Sequence, residues 1–230
     1  MSNNTALEEQ AESAAAAAGL ELVRKDDILH LTDGELWLAA DFAGMLGRIK
    51  AKRFGQELLV KAVRIKGATS PLKVADATAG LGEDSLILAA AGFDVVLFEH
   101  DPVIAVLLDD ALRRAAQDSH LAEYVSRMQL RFEDSVQGLP GLREACDVVF
   151  LDPMFPAKQK QAKTNKKLQL FQRLQSPCSC EEDLMQAALA ANPRKIVVKR
   201  PLKGSALAGK QPSYSISGKT IRYDCIVLPR

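Results

Sequence analysis

The sequence predicts an α/β protein with a mostly parallel, doubly wound sheet, an antiparallel hairpin at its C-terminal edge and a small N-terminal appendage that contains a β-hairpin. Three observations carry this. From residue 72 onward, short apolar runs alternate with helical stretches, the spacing of βαβ units. The first of those runs turns into a helix through a glycine-bearing loop. Before residue 67 the pattern differs, which divides the chain into an appendage (1–66) and a main domain (67–230).

Residues 5–18 are rich in Ala and Glu and are followed by Gly19, a helix with a glycine stop. Residues 28–31 and 35–39 flank Thr32-Asp33-Gly34 and read as a hairpin turned by Asp-Gly. Residues 53–66 suit a basic amphipathic helix with Leu58, Leu59, Ala62, Val63 and Ile65 on its apolar side. In the main domain, 72–77, 94–99, 128–132, 146–152 and 194–199 read as five strands. Helices run to Ala91, from Asp101-Pro102 to about Gln117, and over 181–191; proline is tolerated in a first helical turn. Residues 214–216 and 220–228 flank Ser217-Gly218-Lys219 as the closing hairpin, a common edge for a mostly parallel sheet.

Composition narrows the function classes. With 230 residues and 47 % hydrophobic side chains the chain can bury a sizeable core. No stretch approaches a membrane span of about 18 apolar residues, and MSNNTALEEQ lacks the features of a signal peptide, so a cytoplasmic protein is expected. Four cysteines, two of them in a lone C-x-C (Cys178, Cys180), and three scattered histidines point to reduced thiols and to no metal. The net charge of +1 hides a segregation, because 44–66, 157–173 and 194–222 together hold 21 of the 30 basic residues and a single acid, Glu57. If these segments meet in space they make a polyanion-binding face.

Four motifs follow the strands. Asp76-Ala-Thr-Ala-Gly80-Leu-Gly82-Glu83-Asp84 departs from G-x-G-x-x-G, since Ser85 stands where the third glycine would be. Its acids disfavour a pyrophosphate and suit a ligand with a cationic amino or sulfonium group, which favours S-adenosylmethionine over a nicotinamide dinucleotide. Glu99 ends the second strand, 23 residues after Asp76, where an acid can accept from both ribose hydroxyls, with His100 beside it. Asp134-Ser135 follows the third strand, where the adenine end of such a ligand would lie. Asp152-Pro153-Met154-Phe155-Pro156 leaves the fourth. There Asp152 can accept a hydrogen bond from an exocyclic amine, Pro153 stiffens the loop, and Phe155 offers a face on which a flipped base can stack. Lys158, Lys160, Lys163, Lys199 and Arg200 near the same sheet edge are candidate phosphate contacts.

On these residues the chain resembles class I S-adenosylmethionine-dependent methyltransferases with a Rossmann-like fold. It is most similar to the bacterial ribosomal RNA small subunit methyltransferase J family. The resemblance runs from about Arg48 to the C-terminus, through Arg53-Phe54-Gly55, DATAGLGEDS (76–85), FEHDPVIAVLLDD (98–110), LDPMFPAKQK (151–160) and VVKRP (197–201). It implies transfer of a methyl group from S-adenosylmethionine to the exocyclic N2 of a guanosine near the 3′ end of small-subunit rRNA, with rRNA or the 30S subunit as partner. It also implies cofactor contacts at Glu83, Asp84, Glu99, His100, Asp134, Ser135 and Asp152; from the basic segment 44–66, Arg48, Lys52 and Arg53 join the candidate RNA contacts. Glu83 and His100 depart from the family pattern, which has Arg at the first position and Arg or Asn at the second. Other readings are a methyltransferase of DNA or of a protein amide, a nicotinamide-dependent oxidoreductase, and a non-catalytic RNA-binding module on the same fold.

Overall fold

The structure is a computed structural model that describes residues 2–50, 56–68, 71–142, 146–153, 169–170, 173–174 and 180–229. Seven strands form the main sheet: β4 (Lys73–Asp76), β5 (Asp94–Glu99), β6 (Met128–Phe132), β7 (Val148–Leu151), β8 (Lys195–Pro201), β9 (Tyr214–Ser217) and β10 (Ile221–Val227). Their order is β6-β5-β4-β7-β8-β10-β9, and the five strands from β6 to β8 are parallel. The predicted closing hairpin is present, but β10 inserts between β8 and β9 and pairs antiparallel with both. The edge of the sheet is therefore β9, not the longer hairpin strand.

Side-chain alternation explains why both faces are covered. On β4, Val74 points into one buried cluster and Ala75 into the other; on β8, Val197 and its neighbours Ile196 and Val198 divide the same way. One face is closed by α3 (Leu58–Val63), α4 (Glu83–Ala90) and α5 (Pro102–Gln117). The other is closed by α7 (Ser135–Gly138) and α8 (Glu181–Ala190). Two further helices, α2 (Leu46–Lys50) and α6 (Ala122–Val125), are short. Asp101 caps α5 by accepting from the Val103 and Ile104 amides, with Pro102 in the first turn.

Helix α5 is apolar on two sides for a physical reason. Leu108 and Ala111 face the sheet. Val103, Ile104, Val106 and Leu107 instead pack under α1 (Ser2–Ala17) and a second, three-stranded sheet. That sheet holds β1 (Glu21–Lys25), β2 (Ile28–Thr32) and β3 (Trp37–Leu38), all antiparallel. Strand β1 is absent from the sequence reading. Its turn, Asp26-Asp27, has φ of 50° and 62°, the two left-handed residues that a tight hairpin needs, here without the glycine that normally announces it. The predicted Asp-Gly turn is a wider loop: Thr32 and Asp33 side chains hold its backbone, and β3 shrinks to two residues. The basic helix predicted over 53–66 is helical at 58–63 among the described residues.

Candidate functional site

The carboxyl ends of β5, β4, β7 and β8 lie side by side and carry Glu99, Asp76, Asp152 and Lys199 in that order. Each strand exits through a turn that its neighbours hold. The Glu99 carboxylate accepts from the Gly80 amide (3.0 Å) and the Asp101 amide (2.8 Å), so the glycine loop is tied to the end of β5. The loop itself needs left-handed backbone: Gly80 has φ of 54° and Gly82 of 77°. A Cβ on Gly82 would also sit 2.6 Å from Leu108 and 3.1 Å from Phe42.

Asp76 is 1 % exposed. Its carboxyl accepts from the Ser85 hydroxyl (2.5 Å) and the Thr78 amide (3.1 Å). Burial pushes its pKa up to about 7, against those two hydrogen bonds. Thr78, from the same loop, accepts from the Asp152 amide at 2.6 Å and so fixes where β7 releases the chain. Burial raises Glu99 and Asp152 as well, the latter against the pull of Lys199.

Lys199 makes the central contact. Its ammonium lies 2.7 Å from Asp84 and 2.8 Å from Asp152. Burial works against that charge, but the two carboxylates outweigh it and hold Lys199 above the ordinary lysine range. Tyr223 is its cross-strand partner on β10 and is itself buried. Burial, then the charge of Asp84, push the Tyr223 phenol up, so it stays neutral.

The other predicted site residues divide. Glu83 and His100 are exposed, with the His100 ring 3.7 Å from Glu99. Asp134 caps α7 and Ser135 is buried beside it, past the end of β6. Pro153 is buried. Phe155, Lys52, Arg53, Lys158, Lys160 and Lys163 lie outside the described residues. Two candidate phosphate contacts are already engaged inside the protein: Lys199 as above, and Arg200, which is 4 % exposed and donates to the Ser205 carbonyl (2.7 Å) and to Glu181 (3.2 Å). Arg48 is half exposed and makes a two-pronged ion pair with Glu57, both contacts at 2.9 Å. Sequence reasoning missed Thr78, Ser85 and Tyr223. A hydroxyl after Asp76 carries no signal of its own, and Tyr223 becomes visible only once β10 is aligned on β8.

The donor set fits a cationic nucleoside. Asp84 and Asp152 supply negative charge beside the glycine loop, and Glu99 retains acceptor capacity beyond its two amides for vicinal hydroxyls. Over residues 6–228 the chain matches the family described as "Putative SAM-dependent methyltransferase". It is 40 % identical, over 96 % of its own length and 94 % of the relative's, to the ribosomal RNA small subunit methyltransferase J of Thioalkalivibrio sulfidiphilus. This chain belongs to that family. A protein of the same name from Chromobacterium violaceum is 45 % identical over 74 % of this chain and 67 % of its own. The crystal structure of a SAM-dependent methyltransferase from Neisseria gonorrhoeae superposes with a TM-score of 0.74 at 31 % identity, covering 95 % of this chain and 91 % of that one. S-adenosylmethionine is therefore the cofactor, and the sheet is the Rossmann-like sheet of these enzymes. Among the described residues no helix is long and apolar enough to cross a membrane, and no group of side chains is arranged to hold a metal ion.

Proposed function

We propose that this methyltransferase modifies the exocyclic N2 of one guanosine near the 3′ end of 16S rRNA, acting on the rRNA or the 30S subunit. The observation that carries the reading is Asp152, an acid at the exit of β7 whose backbone is pinned by Thr78 and whose carboxylate is held by Lys199. The relatives' name supplies the substrate class.

Bound S-adenosylmethionine supplies an activated methyl group, carried as a sulfonium. Glu83, Asp84, Glu99, His100, Asp134 and Ser135, with Asp76 and the turns at Gly80 and Gly82, are the residues proposed to hold it. Asp152 accepts a hydrogen bond from the target amine and so directs the nitrogen lone pair. Lys199 keeps Asp152 anionic and stationary while it does so. Transfer makes the nitrogen cationic and acidic, so its extra proton leaves to Asp152 or to water after the new N–C bond has formed. Pro153 and Phe155 would stiffen the loop and stack the flipped base.

Exposed cations at Lys61, Arg64, Lys66, Lys203, Lys210 and Lys219, with Lys52, Arg53, Lys158, Lys160 and Lys163, are proposed to meet phosphates, and Arg48, paired with Glu57, to meet the RNA in another way. Lys199 and Arg200 leave that set because their charges are already met. Residues 1–66 are proposed to form an appendage to a methyltransferase domain of residues 67–230. The test is incubation with methyl-labelled S-adenosylmethionine and small subunits that lack the endogenous modification, followed by nucleoside analysis. Label is expected in N2-methylguanosine. Cofactor binding with no label in RNA would discard the substrate.

A further inference from the structure

The order of the strand ends has a direction. Glu99 and the glycine loop occupy β5 and β4, Asp152 follows on β7, and Lys199 and Tyr223 follow on β8 and β10. The cofactor side is thus β5–β4, and the acceptor must come to Asp152 from the β8–β10 side. On that side, between β10 and the residues Gly47, Arg48 and Gln56 to Leu58, lies an open cleft of about 460 Å³. Tyr223 belongs to both places. It lines the cleft and it is the cross-strand neighbour of Lys199, which holds Asp152. Residues in such a pair stand about 5 Å apart on one face of a sheet.

We propose that this cleft receives the target base, and that Arg48 and Glu57 read its edge. The inference rests on the nucleobase acceptor proposed above and adds where that base sits and what selects it. Leu58 and Ile221 give the cleft an apolar wall on which a flat ring can lie. Arg48 and Glu57 give it a donor and an acceptor side by side. Their mutual pair uses Nε and Nη2 of Arg48, and Nη1 has no partner among the described residues. The Arg48 contact holds the Glu57 carboxyl below its usual range, so it remains an acceptor. Guanine offers O6 and N7 as acceptors, which a guanidinium reads, and N1–H as a donor, which a carboxylate reads. Adenine has an amine in place of O6 and no N1–H, so it mismatches both groups. The volume suits one extruded nucleotide and is too small for a duplex.

The experiment fills the cleft without touching the cofactor residues. Ile221→Trp and, separately, Leu58→Trp are compared with wild type for methyl transfer to small subunits lacking the modification, and for S-adenosylmethionine binding by calorimetry. Transfer is expected to fall about tenfold or more, with cofactor affinity unchanged within about twofold. Glu57→Gln, which preserves size, is expected to raise KM for subunits more than it lowers kcat. Wild-type transfer in a cofactor-binding Trp variant, or an unaltered KM in Glu57→Gln, overturns the cleft and leaves the methylation reading standing. If wild type itself labels no RNA, both fall.

Discussion

Lys199 holds Asp152: the ammonium on β8 lies 2.8 Å from the carboxylate that leaves β7, and the same nitrogen lies 2.7 Å from Asp84 on α4. One cation thus joins the helix that follows the glycine loop to the acid proposed to orient the target amine. Lys199→Met would remove the ammonium that Asp84 and Asp152 share. The groups that then face the Asp152 carboxyl are Asp84, Asp76 and the neutral Tyr223 phenol, with the Thr78 hydroxyl on its backbone amide. Burial already raises Asp152, and without the opposing lysine its pKa rises further. An acid that works as its anion then loses function as pH falls, so the acidic limb of the transfer profile moves to higher pH. Transfer at neutral pH should drop on the order of tenfold, about 1.4 kcal/mol of barrier. Lys199→Arg should restore much of it. Equal pH profiles for wild type and Lys199→Met would remove Lys199 from the reaction.

Gly82 separates two contributions to the loop. Its φ is +77°, and a Cβ there would also press on Leu108 at 2.6 Å and Phe42 at 3.1 Å. Gly209 has nearly the same backbone, φ +66°, with nothing within 4 Å of a Cβ. Gly209→Ala should therefore show only the left-handed backbone cost, about 1–2 kcal/mol. Gly82→Ala should lose more, and should also weaken cofactor binding because the loop is tied through Gly80 to Glu99. Denaturant titration and calorimetry on both variants measure this; equal losses would mean that the packing around Gly82 gives way freely.

Asp76 predicts a pH signature in stability. Its folded pKa is about 7, raised by burial from an ordinary 3.8. Below the ordinary value both folded and unfolded states hold the proton and nothing is lost. As pH rises toward 7 the unfolded chain ionises first, so stability falls, and above 7 the loss is complete. Asp76→Asn removes that dependence, and the amide can still accept from Thr78 while Ser85 turns to accept from it. The variant should gain stability over wild type progressively between about pH 4 and pH 7, by a few kcal/mol at most. A difference that does not vary with pH would mean that Asp76 ionises normally.

Periodicity made the parallel strands legible because buried strands are continuous apolar runs, and β5 and β6 have the bounds that their hydrophobic runs imply. Strand β1 was not legible, since its turn is two aspartates held left-handed by the pairing itself. At the site, the acids at strand ends were visible as acids. That Lys199 and Arg200 point into the protein was not, because a basic residue at a strand exit reads the same whether its partner is a phosphate or a carboxylate across the sheet. Register decides it: Lys199 faces Tyr223 and Arg200 faces Arg222, so the two side chains go to opposite faces and meet Asp152 on one and Glu181 on the other.

Asp110 fastens the N-terminal sheet to the rest of the molecule. It is 1 % exposed on α5, and it accepts from Arg24 (2.7 Å), from Arg114 (2.7 Å) and from the Leu29 amide (3.2 Å). Arg114 reaches on to the Ala40 carbonyl at 2.7 Å. Burial alone would raise the Asp110 carboxyl, but Arg114 and Arg24 outweigh it and hold it below the usual range. Its contribution is therefore present above the ordinary aspartate pKa and is lost as pH falls through the lowered one. Asp110→Ala leaves Arg114 without its main partner and should cost about 3–5 kcal/mol at neutral pH. Asp110→Asn, which can still accept from Leu29, should cost less. The loss should be local first: limited proteolysis should cut within residues 18–40 of Asp110→Ala well before the main domain. If α1 and the small sheet stay as protected as in wild type, the hydrophobic contacts of Leu31 and Leu38 on α5 hold them without the ion pair.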